Sequence, residues 1–126
     1  MRYLLDSTLL IDHANQDEPA MAVLAKLNAD RSDLYTCDVV TCEVLSQGDA
    51  EHLAHLAALL DALEYVSTSP QAARRAAEAR LRRHRNGGKL GLGDALIGGI
   101  AVELGATIVT RNRPDFVRQG IAVLDY

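Results

Sequence analysis

Five short runs of strand-forming residues set the terms on which this chain can fold. They are Arg2 to Leu5, Leu34 to Cys37, Glu64 to Ser67, Ile108-Val109 and Ile121 to Leu124, and helical sequence fills the long gaps between them. Antiparallel neighbours can be joined by a tight turn, whereas parallel neighbours need a crossover of about a dozen residues or more, usually a helix. The pattern therefore predicts an α/β fold, a three-layer α/β/α arrangement with a mostly parallel central sheet of about five strands. Composition agrees. With one Phe and no Trp, the core must be built from Ala, Leu and Val. That favours helices packed on a sheet over an aromatic-rich barrel.

The helices have their own punctuation. Ser7 to His13 reads as a helical turn. Pro19 sits in the first turn of a helix through Met21, Val23, Leu24 and Leu27, where its missing N–H costs nothing. Leu53, Leu56, Leu59, Leu60 and Leu63 recur at helical spacing. Pro70 opens a further helix to about Arg83. After the Asn86-Gly87-Gly88 break, another runs from Asp94 to about Leu104 and closes on Gly105.

A chain of 126 residues without a linker, repeat or low-complexity stretch reads as one domain, 1–126. Asp6 interrupts the N-terminal apolar run, so no leader is expected, and no window nears the roughly 18 apolar residues that span a bilayer. Cys37 and Cys42 are too few for a disulfide scaffold and poorly placed for zinc. A cytoplasmic location follows as the expectation, with no membrane partner. The net charge of −4 argues against holding nucleic acid by bulk positive charge. Yet Arg74 to Lys89 carries seven of the thirteen Lys and Arg residues, enough to meet an acidic partner locally.

The acids carry the chemistry. Asp6 closes the run Tyr3-Leu4-Leu5, Glu43 follows the second strand, Asp94 opens an apolar helix, and Asp115 follows Thr107-Ile108-Val109. In a parallel sheet such positions can meet in one cleft at the strand ends. Gathered carboxylates repel unless a cation lies between them, and hard oxygen donors suit Mg²⁺ or Mn²⁺, ions that partner phosphates. Each acid also has a plainer reading. Asp6 and Asp94 stand where helix N-caps stand, Glu43 suits a solvated helix face, and Asp115 could cap a turn. The combination is what points to phosphodiester chemistry.

Four pieces carry a resemblance: Leu4-Leu5-Asp6-Ser7-Thr8, Thr41-Cys42-Glu43-Val44, Gly93-Asp94-Ala95-Leu96-Ile97 and Thr110-Arg111-Asn112-Arg113-Pro114-Asp115-Phe116. In order and spacing the chain resembles the PIN-domain ribonucleases, most closely the VapC-type toxins of bacterial toxin–antitoxin pairs. That resemblance implies metal ligation by Asp6, Glu43 and Asp94. Asp115 would be the fourth acid, because Asn112 stands where some relatives carry a carboxylate. Ser7, Thr110 and Asn112 would orient ligands or waters. Arg82, Arg85, Lys89, Arg111 and Arg113 would contact RNA phosphates. It further implies Mg²⁺ or Mn²⁺, an RNA substrate, a homodimer and a small antitoxin offering an arginine to the cleft.

His13, His52, His55 and His84 fall outside these pieces and are expected on the surface. A catalytically inactive PIN-like RNA-binding or regulatory module is the alternative. Other phosphate-handling α/β domains fit less well: a receiver wants an acidic pair and a later lysine, a dehalogenase-type phosphatase wants Asp-x-Asp, and no P-loop is present.

Overall fold

The structure, a computed structural model, describes residues 1–126. Five strands are present: β1 (Arg2–Leu5), β2 (Asp33–Cys37), β3 (Glu64–Val66), β4 (Thr107–Val109) and β5 (Val123–Leu124). Between them lie α1 (Ser7–Ala14), α2 (Glu18–Ala29), α3 (Asp38–Leu45), α4 (Ala50–Asp61), α5 (Pro70–Arg85), α6 (Leu92–Leu104) and α7 (Arg113–Val117). Every strand pairing is parallel and the order is β3-β2-β1-β4-β5.

That order dictates the layers. The chain steps outward from β1 to β2 to β3, then returns across the sheet to β4 and β5. Parallel crossovers are right-handed, so reversing the direction of travel moves the helices to the other face. Accordingly α1 packs with α2, α3 and α4, while α6 packs with α5 and α7. The two groups also touch where α3 meets α6. The central strands are covered on both sides, with Leu4, Leu5, Ile108 and Val109 fully buried. Phe116, the one phenylalanine, is buried among them. In α4, Leu56 and Leu60 turn inward, and Leu59 and, just past the helix end, Leu63 pack on the same cluster, so most of the leucine stripe is spent on the core.

Several boundaries differ from the sequence expectation; β5, for one, is only Val123–Leu124 and leaves Ile121 outside it. Helix α6 begins at Leu92 behind an extended Gly91, so Asp94 is its third residue and not its cap. Leu92 is exposed and adds nothing to an apolar period, which is why this first turn is hard to read. Helix α5 runs two residues further, to Arg85. Arg75 shares its helix face with Glu78 and Arg82, yet its ion pair reaches across to Glu103 of α6 at 2.9 Å. Gly99 permits this crossing, because a Cβ there would stand 2.3 Å from the Ala72 carbonyl oxygen. Only glycine lets the two backbones come so close.

Candidate active site

The strand order places a topological switch between β1 and β4, where connections depart in opposite directions and leave a crevice at the carboxyl ends. Register delivers the first acid there. Leu5 pairs with Val109, and the Asp6 N–H donates to the Val109 carbonyl at 3.1 Å. Asp6 thus lies beside Thr110, whose hydroxyl donates to Asp6 Oδ2 at 2.7 Å. Thr8 donates to the same oxygen at 3.3 Å, and Ser7 to Oδ1 at 3.4 Å. Asp6 does occupy the N-cap position of α1, but its side chain makes no capping bond. With 1% of its surface exposed, its side chain is held by these hydroxyls and the Ser7 backbone.

The other acids arrive from α3, α6 and α7. Glu43 extends from α3 to Gly93 of α6, where a Cβ would stand 2.8 Å from Glu43 Oε2. That bare helix surface is a cradle for the carboxylate, and it brings Glu43 beside the residue preceding Asp94. Asn112 joins the remaining pair: its amide nitrogen donates to Oδ2 of Asp94 and to Oδ2 of Asp115, each at 3.0 Å. Asp115 accepts this bond within the first turn of α7 and caps nothing. The amide of Gln119 then ties the two elements, donating to the carbonyls of Asp94 at 3.3 Å and Asp115 at 2.9 Å.

Burial and mutual repulsion act on these side chains in the same direction. Burial raises the Asp6 carboxyl above its usual range, although the hydroxyls of Thr110, Thr8 and Ser7 and the Ser7 backbone pull it back. Glu43 is exposed on its outer side, yet it loses water where it presses on Gly93. That desolvation raises its pKa, and the charge of Asp6 adds to it. Asp94 is pushed up to about 7, by burial first and then by Asp6, by the Asp115 carboxyl within hydrogen-bonding reach, and by Glu43. No lysine or arginine pairs with these four carboxylates; the ion pairs lie elsewhere, at Arg75–Glu103 and Arg111–Asp12.

Donor chemistry fits a hard divalent ion: carboxylate oxygens on rigid elements, with hydroxyls and an amide behind them. As the side chains stand, no three acids, histidines or cysteines meet at one ligating point. The Asn112 amide lies between Asp94 and Asp115 and satisfies both; Asp6, Glu43, Asp94 and Asp115 are the residues that would hold an ion.

The basic residues do not converge on one patch. Lys89 lines a groove of about 630 Å³ with Arg80, Leu81 and Leu90. Arg82 lines a different groove beside Gly98 and Gln119. Arg85 is exposed in the last turn of α5, and Arg113 is exposed at the start of α7. Arg111 is paired with Asp12 at 3.2 Å but remains largely exposed. Among the histidines the surface expectation fails for His13, which is partly buried and stacked on His55.

Three contributors escaped sequence reasoning. Thr8 follows Asp6 and Ser7 in the first quoted piece, so its hydroxyl was in view. Gly93 precedes Asp94, where a glycine reads as a supple loop residue. Nothing local marks Gln119, whose partners lie 25 and 4 residues away.

Fold and site together define an α/β domain with an acid cluster at its topological switch point. The chain belongs to the PIN domain family, whose model matches residues 3–120. No curated protein matches the sequence. Among solved structures it is similar to DNA-bound VapBC from Salmonella typhimurium, at 24% identity and a TM-score of 0.84 over 99% of this chain and 98% of that one. It is similar to VapBC2 from Rickettsia felis bound to a promoter DNA fragment, at 22% identity and 0.83 over 100% and 99%. Mycobacterium tuberculosis VapC20, described as a sarcin–ricin loop cleaving toxin, aligns at 16% identity and 0.70 over 95% and 96%. Identities this low establish the shared fold. No helix is long and apolar enough to cross a membrane.

Proposed function

We propose that this protein is a divalent-metal-dependent endoribonuclease, the toxin of a type II toxin–antitoxin pair that inhibits translation by cutting RNA. Asp6, Glu43, Asp94 and Asp115 would hold Mg²⁺ or Mn²⁺. A bound divalent ion supplies a more acidic water and positive charge to offset the negative charge that builds on a phosphate under attack. The chain's own residues do the rest. Thr110, Thr8 and Ser7 fix the Asp6 carboxylate, so its oxygens need no reorganisation when substrate arrives. Asn112 holds Asp94 and Asp115 at a common distance, and Gln119 fixes the backbones beneath them. Burial and the neighbouring acids favour protonated Asp94 only while the site holds no ion; as a ligand Asp94 would be ionised. Arg82, Arg85, Lys89, Arg111 and Arg113 would position RNA through its phosphates without reading its sequence. Attack by water leaves a 5′-phosphate and a 3′-hydroxyl.

The observation that carries this reading is that Asn112 bridges Asp94 and Asp115 while Glu43 reaches Gly93 beside Asp94, an acid group with which no lysine or arginine pairs. The solved VapBC structures named above support a small antitoxin as partner, and a homodimer is proposed with it. A second reading is an inactive PIN-like RNA-binding or regulatory module, favoured by the absence of a shared ligating point. Cleavage of structured, end-labelled RNA in Mg²⁺ or Mn²⁺ separates them. Asp6→Asn and Asp94→Asn should each reduce the rate by about 10²–10³ or more, the scale for losing one preorganised electrostatic group. RNA bound but uncut in both metals leaves the second reading standing.

A further inference from the structure

Helix α5 ends in a run of basic residues, and its last turns lie against the segment 88–91 that leads into α6. Arg80 Nε donates to the Leu90 carbonyl at 3.1 Å, and Arg83 Nη1 to the Lys89 carbonyl at 3.4 Å. The Arg83 stem lies on Gly88, where a Cβ would stand 2.6 Å from Cδ. Two arginines therefore strap this segment to the helix. The groove of about 630 Å³ between them is lined chiefly by Arg80, Leu81, His84, Lys89, Leu90 and Gly91. Leu81 and His84 are three residues apart and Arg80 and His84 four, so the three edge one side of α5. No acid lines the groove, in a chain whose net charge is −4. Neither Arg80 nor Lys89 enters an ion pair, and Leu81 leaves 48% of its surface uncovered.

We propose that this groove is a subsite for one unpaired nucleotide of the substrate RNA, with its phosphate on Arg80 and Lys89 and its base against Leu81 and His84. The inference rests on the ribonuclease reading above and adds a place where the protein can favour one strand over another. The volume falls in the range of roughly 300–1,000 Å³ typical of small-ligand sites. Arg80 commits only Nε to the Leu90 carbonyl, which fixes the guanidinium and leaves its two terminal amino groups for phosphate oxygens. A side chain already held in place loses little freedom when the ligand arrives. Unpaired bases stack on imidazole and guanidinium planes, and Leu81 offers an apolar surface beside them. A nucleotide carries a flat face and a charge together, whereas an acidic peptide side chain carries charge alone. Position agrees as well. Gly91 is the N-cap of α6 and its carbonyl accepts the Ala95 N–H at 3.0 Å, so Asp94 lies in the turn that begins at the groove. A nucleotide here would neighbour the one at the scissile phosphate.

Fluorescence anisotropy of an unpaired oligoribonucleotide on the whole protein, in EDTA so that no strand is cut, tests this. Leu81→Ser and Arg80→Gln should each weaken binding about 10-fold, the scale of one lost base contact. Arg80→Gln alone should also reduce the slope of log affinity against log salt by about 0.7, the share of one phosphate contact on a single strand. Arg74→Gln, on the same helix but outside the groove, should change neither reading. In Mg²⁺, Leu81→Ser should raise KM for cleavage more than it lowers kcat. No RNA binding by the wild type overturns the subsite, as does wild-type affinity in both Leu81→Ser and Arg80→Gln. An equal loss in Arg74→Gln overturns it in favour of diffuse charge. A polyglutamate peptide bound more tightly than the RNA, and weakened by Arg80→Gln, assigns the groove to an acidic protein segment and overturns it too. The two readings fail separately. RNA bound with the expected effects yet left uncut by the wild type in Mg²⁺ and Mn²⁺ ends the ribonuclease reading and keeps the groove as an RNA site. Normal cleavage by both groove variants ends the subsite alone.

Discussion

Helix α1 carries a buried aspartate at each end, and the two are treated in opposite ways. Asp12 accepts the Tyr126 hydroxyl at 2.7 Å and the Arg111 guanidinium at 3.2 Å. Asp6, buried still more deeply, has hydroxyl donors and other acids for neighbours, and no cation. A buried carboxylate that serves only the fold is expected to resemble Asp12, since an unpaired charge in the interior is costly. Asp6 is preorganised by hydroxyls and pairs with no basic side chain, as the proposed ligand role requires.

The comparison breaks most visibly if the two positions respond alike to substitution. Asp12→Ala removes the acceptor of a tyrosine hydroxyl and one side of an ion pair. The hydrogen-bond loss is worth about 1–3 kcal/mol, whereas the pair itself adds little because Arg111 is largely exposed. Thermal denaturation should show a clear fall in Tm with RNA cleavage retained below it. Asp6→Asn keeps an oxygen for Thr110 and Thr8, lets the Ser7 hydroxyl turn to accept from the new amide, and removes a charge that repels Asp94 and Glu43. Its metal-free Tm should hold or rise while cleavage is lost. An Asp6→Asn protein that unfolds as Asp12→Ala does would make Asp6 structural.

A second test uses pH. Folded Asp94, raised to about 7, binds its proton more tightly than an unfolded aspartate near 3.8. Its stabilising contribution is therefore complete below about 3.8 and is lost as the pH climbs toward 7. Asp6 and Glu43 are shifted in the same direction. Denaturant unfolding of the metal-free protein should show stability declining across this window, with a shallower decline in Asp94→Asn. Excess Mg²⁺ should restore most of the loss at the upper end. A slope that ignores both the substitution and the ion would mean the cluster is already neutralised from within.

How much of this was legible beforehand depends on the distance over which each signal acts. Strand runs and helical periods are local, so the layered fold and parallel sheet were readable. The strand order was not: nothing in five short runs says that β4 pairs with β1, and that pairing sets Thr110 against Asp6. Asp6, Glu43, Asp94 and Asp115 stood out because each lies at a junction in a short motif. Asp94 nonetheless proved to be an interior first-turn residue, since Gly91 and an exposed Leu92 hide the start of α6. The bond from Gln119 to Asp94 and the stacking of His13 on His55 depend on α7 meeting α6 and α1 meeting α4. Those are tertiary facts that local sequence does not encode.

The smallest expected effect is also the most discriminating. Gly93→Ala places a methyl 2.8 Å from Glu43 Oε2, too close for both to stay. The carboxylate is the exposed end of a flexible side chain, so it can swing away at little cost to the fold. Alanine in place of glycine within a helix favours folding by about 0.5–1 kcal/mol, so stability should be unchanged or slightly higher. Activity should nevertheless fall by about 10- to 100-fold, the scale for displacing a ligand through its support. A double-mutant cycle isolates the route: in a Glu43→Ala background the Gly93 substitution should cost nothing further, because the group it displaces is gone. Equal losses in both backgrounds would show that the methyl acts on Asp94 or the helix start instead, and Glu43 would then stand outside the cluster that sets Asp6 apart from Asp12.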